Sequence, residues 1–159
     1  FGKIKNLKVS IVGDILHSRV AMSNILGLQK MGAKVLLCAP PHLIPKFMSE
    51  FGVKISHDIN EALEWSDALN ILRIQRERMG IGLVPSVKEY RDLFGVTKER
   101  LQRLNKEVVI MHPGPINRGV EVDTYVADSD QSIILNQVLN GVAVRMSILY
   151  LLLGVANES

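Results

Sequence analysis

Among 159 residues there is a single cysteine, Cys38. One cysteine cannot close an internal disulfide, so the chain is expected in a reducing compartment, the cytoplasm. Cys38 sits in the apolar run VLLCA and reads as a small core residue. Lysine and arginine are nowhere dense enough to form a nucleic-acid-binding tract, although the formal net charge is +3. That mild excess suits a small anionic ligand equally well. Residues 1–7 carry charges and no apolar core, so no signal peptide is visible. The apolar stretch MSILYLLLGVA is too short to span a bilayer, and Gln137, Asn140 and Arg145 close to its start favour a buried helix. Four scattered histidines and one cysteine lack the spacing of a metal site. There is no G-x-G-x-x-G turn, and Gly13 alone is weak evidence for a nucleotide. The sequence shows no internal repeat and no low-complexity segment. The expectation is therefore no membrane, no nucleic acid, no metal and no cofactor.

What is present is an alternation. The hydrophobic share is 47%, and the length supports one domain with a real core. The organising stretch is residues 7–24, LKVSIVGDILHSRVAMSN. An apolar, β-branched run breaks at Gly13-Asp14 and restarts as a helix near Ser18, the expected N-cap, with Asp14 and His17 as competitors. Val20, Ala21, Ile25, Leu28 and Met31 form the apolar stripe of that helix. Strands follow at 34–39, 53–56, 67–72 and 107–111. Helices are expected at 43–51, 59–65, 87–94 and 97–104, the last opening on Thr97-Lys98-Glu99. A polar loop runs to about 130, and residues 132–153 read as one long helix, in which Gly141 suggests close packing. Strand and helix in alternation give an α/β three-layer sandwich with a five-stranded parallel sheet, Rossmann-like, with right-handed crossovers. Residues 73–86 make a long, Gly-containing loop suited to binding, expected to be mobile without ligand from about residue 76 to residue 86.

Three polar stretches fall at strand carboxyl ends, where α/β domains bind ligands. They carry Arg19; Arg73 and Gln75; and His112, Pro113, Gly114 and Arg118. Guanidinium groups are planar, permanently charged donors suited to bidentate capture of carboxylates or phosphates. No nucleophile–base pair stands among them. Each residue has a plainer reading. Arg19 in the first turn of a helix opposes the dipole; it is a solvated surface charge or an anion ligand. His112 before Pro113 is a satisfied structural histidine or a functional one. Arg76 and Arg78 read as solvated loop charges, His42 and His57 as surface residues, and Arg145 as a member of an ion pair.

GDILHSRVAMSN, NILRIQRER, HPGPINRGVEVD and QVLNGVAVRMSIL, in this order and spacing, resemble the C-terminal half of aspartate carbamoyltransferases across nearly the whole chain. The resemblance implies an L-aspartate-binding domain over residues 1–159. It implies an enzyme of pyrimidine biosynthesis that condenses carbamoyl phosphate with L-aspartate to give N-carbamoyl-L-aspartate and phosphate. By that resemblance Arg19 binds an aspartate carboxylate. Arg73 and Gln75 grip aspartate from a loop that closes over it, and Pro113 and Gly114 form a backbone turn facing the carbamoyl and amino groups. It further implies a catalytic homotrimer and regulatory or dihydroorotase partner subunits. Two positions depart from the pattern, since the family usually has Lys where Leu16 stands and a basic residue where Met22 stands. Met22 lies off the apolar stripe, so core packing is not expected to explain it. The family's carbamoyl phosphate site, built around a Ser-Thr-Arg-Thr-Arg loop in an N-terminal domain, is missing. The chain is thus expected to be half of a catalytic unit, inactive alone, with no catalytic residue of its own. Two other functions compete: a related carbamoyltransferase acting on ornithine, which Arg73 disfavours because it would repel a cationic side chain, and a non-catalytic regulatory or interaction module retaining the fold.

Overall fold

The computed structural model describes residues 1–74 and 86–154. Strands β1 (Lys8–Val12), β2 (Lys34–Cys38), β3 (Lys54–Ser56), β4 (Ala68–Ile71) and β5 (Val109–Met111) form one parallel sheet in the order β3-β2-β1-β4-β5. The strands are nearly continuous apolar runs because both of their faces are covered. Along β1 and β2, alternate residues point to opposite sides. Ile11, Val35 and Leu37 pack with Ala21 and Ile25 of α1 (Arg19–Lys30) and with Leu43 and Met48. Val12, Leu36, Cys38, Leu69 and Ile71 pack on the other face with α2 (Ile59–Trp65), α3 (Val87–Phe94), α4 (Lys98–Gln102) and α5 (Thr124–Ala127). The expected three-layer α/β sandwich is what forms.

The helix starts follow local chemistry. Ser18, Asp58, Ser86 and Thr97 each accept a hydrogen bond from a backbone N–H in the first turn of the helix they precede. The α1 helix ends at Gly32, whose φ of +80° is the left-handed conformation that closes a helix and turns the chain into β2.

Several expectations need correction. Residues 43–51 are not one helix but two 3-10 turns, Pro41–Leu43 and Lys46–Phe51. Pro45 between them has no N–H to continue a helical ladder. The stretch 112–130 is not all loop, since α5 forms within it. Val20 on α1 and Met31 at its C-terminal cap are exposed, while Met22 packs partly buried against the core. Met22 follows Ala21 on the edge of the buried face, so packing does account for it. Residues 75–85 lie outside the described residues, so the expected mobility of that loop does too.

The largest departure is the last helix, α6 (Ile134–Gly154). Ile134 is buried, and Gln137 is half-buried, but the rest of the helix stands exposed rather than packed. Gly141 has nothing within 4 Å of where a side chain would begin. Arg145 is exposed and makes no ion pair among the described residues. At 21 residues and a mean hydropathy of 1.4, α6 is long and apolar enough to cross a membrane by length and composition.

Candidate substrate-binding site

The chain leaves β1 toward β2 on one side and returns, after β3 and α2, to β4 on the other. The carboxyl ends of β1 and β4 therefore border the point where the winding reverses, the usual place for a ligand in a doubly wound sheet. The two ends are held close. Leu72 N–H donates to Val12 O at 2.7 Å, and on the opposite side Gly13 N–H donates to Cys38 O at the end of β2 at 3.0 Å. Gly13 has φ +119°, and a Cβ there would come within 2.8 Å of Leu72 O. Only glycine satisfies both the backbone conformation and the contact.

The turn from β1 into α1 is organised by Asp14. Its carboxylate is fully buried and accepts from His17 N–H at 3.0 Å and from His17 Nδ1 at 2.9 Å. Ser18 then caps α1, accepting from Ala21 N–H at 3.2 Å. Arg19 is the first helical residue and is exposed, with no acidic residue in that first turn to neutralise it. Leu16 is exposed in the same turn. On the neighbouring strand, Arg73 is half-buried one residue beyond Leu72. Gln75 lies outside the described residues.

The third segment follows β5, which flanks β4. His112 is completely buried, and both ring nitrogens are engaged within the protein. Nδ1 accepts from Gly114 N–H at 2.8 Å, so the ring proton sits on Nε2, which donates to Glu121 Oε1 at 3.3 Å. The backbone N–H of His112 donates to Gln137 Oε1 on α6 at 2.8 Å. Pro113 and Gly114 are half-buried at the head of this turn, Gly114 with φ +66°. Asn117 N–H donates to Glu121 Oε1 at 2.6 Å, and Asn117 Nδ2 donates to Ile74 O at 3.3 Å, tying the β5 turn to the chain just past Arg73. Arg118 pairs away from this turn. Its two terminal nitrogens donate to the two oxygens of Asp128, each at 2.8 Å. This pairing holds the Asp128 carboxyl below the usual carboxylate range.

The loops bearing Arg19, Arg73, Pro113 and Gly114 thus leave the same edge of the sheet, from the three adjacent strands β1, β4 and β5. Glu121 and Asn117 are the members of this region that sequence reasoning passed over. The one signal was an acidic residue between Val120 and Val122, apolar neighbours with partly or wholly buried side chains. Cys38, at the end of β2, is fully buried, and burial followed by the charges of Asp58 and Glu61 pushes its thiol up to about 12. It is no nucleophile.

A doubly wound parallel sheet with arginines set at its carboxyl-edge switch point is a Rossmann-like α/β domain suited to an anionic ligand. The chain belongs to the aspartate/ornithine carbamoyltransferase family: residues 5–152 match its Asp/Orn binding domain. It is 60% identical over 153 residues to the aspartate carbamoyltransferase catalytic subunit of Cytophaga hutchinsonii, covering 96% of this chain and 50% of that one. The corresponding subunit of Carboxydothermus hydrogenoformans is 54% identical over 158 residues, covering 99% of this chain and 50% of that one. The chain therefore spans about half the length of the curated relatives it matches. Among solved structures, the ornithine carbamoyltransferase of Pyrococcus furiosus superposes with a TM-score of 0.75 at 26% identity, covering 94% of this chain and 50% of that one. The aspartate transcarbamoylase of Trypanosoma cruzi in complex with phosphate superposes with a TM-score of 0.74 at 25% identity, over 94% of this chain and 51% of that one.

Proposed function

We propose that this chain is the L-aspartate-binding half of an aspartate carbamoyltransferase catalytic chain. The reaction joins the aspartate amine to the carbamoyl carbon of carbamoyl phosphate. A C–N bond forms, the C–O bond to phosphate breaks, and the amine loses a proton to the departing phosphate. The products are N-carbamoyl-L-aspartate and phosphate, in pyrimidine biosynthesis. In this reading Arg19 takes one aspartate carboxylate, and Arg73 with Gln75 takes the other. The backbone of Pro113 and Gly114 faces the carbamoyl and amino groups. Carbamoyl phosphate is held by the other half of the protein. The contribution of this half is orientation of the amine and matching of charge, a proximity effect that needs no acid–base residue of its own. The complete enzyme is read as a cytoplasmic homotrimer, with regulatory or dihydroorotase subunits as its class of partner. The family domain extends through residue 152, so α6 belongs to that domain, and we read it as a packing helix rather than a membrane span.

The observation that carries the reading is the emergence of Arg19 and Arg73 from adjacent parallel strands at the switch point. The fold does not separate aspartate from ornithine as substrate, because TM-scores to the two enzymes are 0.74 and 0.75. Charge does. A second guanidinium where the side chain of the amino acid would lie suits a carboxylate and repels an ammonium. The alternative of a non-catalytic module weakens once Met22 is explained by packing, although Leu16 remains an exposed departure. Calorimetric titration of the full-length enzyme, saturated with carbamoyl phosphate analogue, against L-aspartate and L-ornithine tests the proposal. Heat with aspartate alone is expected. Binding of ornithine in preference, or of neither, rejects it.

A further inference from the structure

Glu121 is a fully buried carboxylate to which the chemistry above assigns no role. Its backbone is fixed to the core, since Val96 N–H donates to Glu121 O at 3.0 Å. Its Oε1 is shared by two donors of different segments. Asn117 N–H reaches it at 2.6 Å, and His112 Nε2 at 3.3 Å. Each donor passes the constraint onward. His112 holds Gly114 N–H at 2.8 Å on its other nitrogen, and Asn117 Nδ2 holds Ile74 O at 3.3 Å. A single carboxylate oxygen thus stands at the junction of two chains of hydrogen bonds. One ends on the Pro113–Gly114 turn, and the other ends on the residue after Arg73.

Such a carboxylate is costly to keep, because burial removes its hydration, and an apolar side chain of similar volume would serve a core better. Tyr90 reports how dry the place is. Its phenol is fully buried and held well above its ordinary range, first by burial and then by the charge of Glu121. Retaining a carboxylate there makes sense where geometry matters more than burial.

We propose that Glu121, acting through His112 and Asn117, is a positioning residue that sets the spacing between the Pro113–Gly114 turn and the Arg73 segment. The proposal rests on the reading that these two segments engage aspartate and the carbamoyl group. His112 is then not a ligand itself but the strut between Glu121 and the turn. Glutamine at 121 keeps one oxygen for both donors, while its amide nitrogen takes the place of Oε2, which is buried and has no hydrogen-bond partner among the described residues. Leucine removes it and leaves two N–H groups without an acceptor.

The test is steady-state kinetics and thermal melting of the full-length enzyme carrying Glu121→Leu, Glu121→Gln or Asn117→Ala. Misplacement of reacting groups by about 1 Å costs on the order of 100-fold, so Glu121→Leu is expected to lower kcat/KM for aspartate by about 10- to 100-fold. Asn117→Ala, which keeps the backbone bond to Glu121 and cuts only the link to Ile74, is expected to raise the aspartate KM while leaving the melting temperature and the KM for carbamoyl phosphate unchanged. Glu121→Gln is expected to restore aspartate use close to wild type. If Glu121→Leu does not fold, Asn117→Ala and Glu121→Gln decide. An unchanged aspartate KM in a well-folded Asn117→Ala enzyme overturns the proposal, as does a loss shared equally by both substrates and tracking the fall in melting temperature. A wild-type enzyme that does not carbamoylate aspartate rejects the underlying functional reading instead.

Discussion

Arginines of similar appearance in the sequence are set apart by where the fold puts them. Arg118 is fully committed to Asp128 through two parallel bonds of 2.8 Å, at an exposed site. Arg118→Ala is therefore expected to leave aspartate binding close to wild type, because the change removes a solvated surface pair worth at most about 1 kcal/mol of stability. Arg19→Ala and Arg73→Ala are expected to behave differently. Loss of a hydrogen bond to a charged group costs about 1.5–3 kcal/mol, or roughly a 10- to 150-fold rise in the aspartate constant. Titration of the three variants of the full-length enzyme with L-aspartate separates them, and equal losses at Arg118 and Arg73 contradict the assignment. Cys38 supplies a pH prediction. Its thiol is raised from 9.0 to about 12, so its contribution to stability is complete below pH 9.0 and is lost as pH climbs toward about 12. The unfolded chain releases the proton first, and the slope is about 1.4 kcal/mol per pH unit within that window. Urea unfolding across this range should show that fall in the wild type, and Cys38→Ala should lack this share of it.

Elements owe their placement to a few backbone contacts. The β1–α1 turn crosses β4 at Gly13, where φ is +119° and a Cβ would lie only 2.8 Å from Leu72 O. Gly13→Ala is expected to cost about 1–3 kcal/mol from backbone strain, with more from the clash. Because Leu72 precedes Arg73, aspartate use should weaken as well. Chemical denaturation with parallel kinetics checks both, and an unchanged midpoint shows that the turn has room. The start of α1 was legible because Ser18 is a side chain that caps its own helix. The two 3-10 turns near Pro45 were not, because apolar spacing alone does not distinguish one helical ladder from two short ones. The α5 helix is only four residues long, too short for any period to show. It forms because Val126 and Ala127 are pulled into the core.

The whole molecule leaves its last helix unsatisfied. Leu135, Leu139, Leu149, Leu151, Leu152 and Leu153 are all exposed. Each large apolar side chain left in water forgoes about 1.5–3 kcal/mol, and several together rival the net stability of a domain, about 5–15 kcal/mol. Contiguous apolar surface of this kind marks an interface. The 159-residue chain alone is expected to self-associate or to be poorly soluble. Sedimentation equilibrium should show mass above that of a monomer, falling toward 17.7 kDa when Leu139 and Leu149 are both changed to Glu. A well-behaved monomer of the unaltered chain contradicts this.

The alternation of apolar runs and caps by itself determined the sheet, the order of its strands along the chain and the loops that bear the arginines. Those properties depend on neighbours in sequence, through period, capping and turn chemistry. The tertiary structure decided which arginine is spent on Asp128, where Met22 packs, and that α6 beyond Gln137 stands exposed. It also decided that Glu121 joins His112 to Asn117. Each of these depends on groups brought together from separate segments. A buried carboxylate has no period, and its partners are chosen only when β4 and β5 pair and their loops meet.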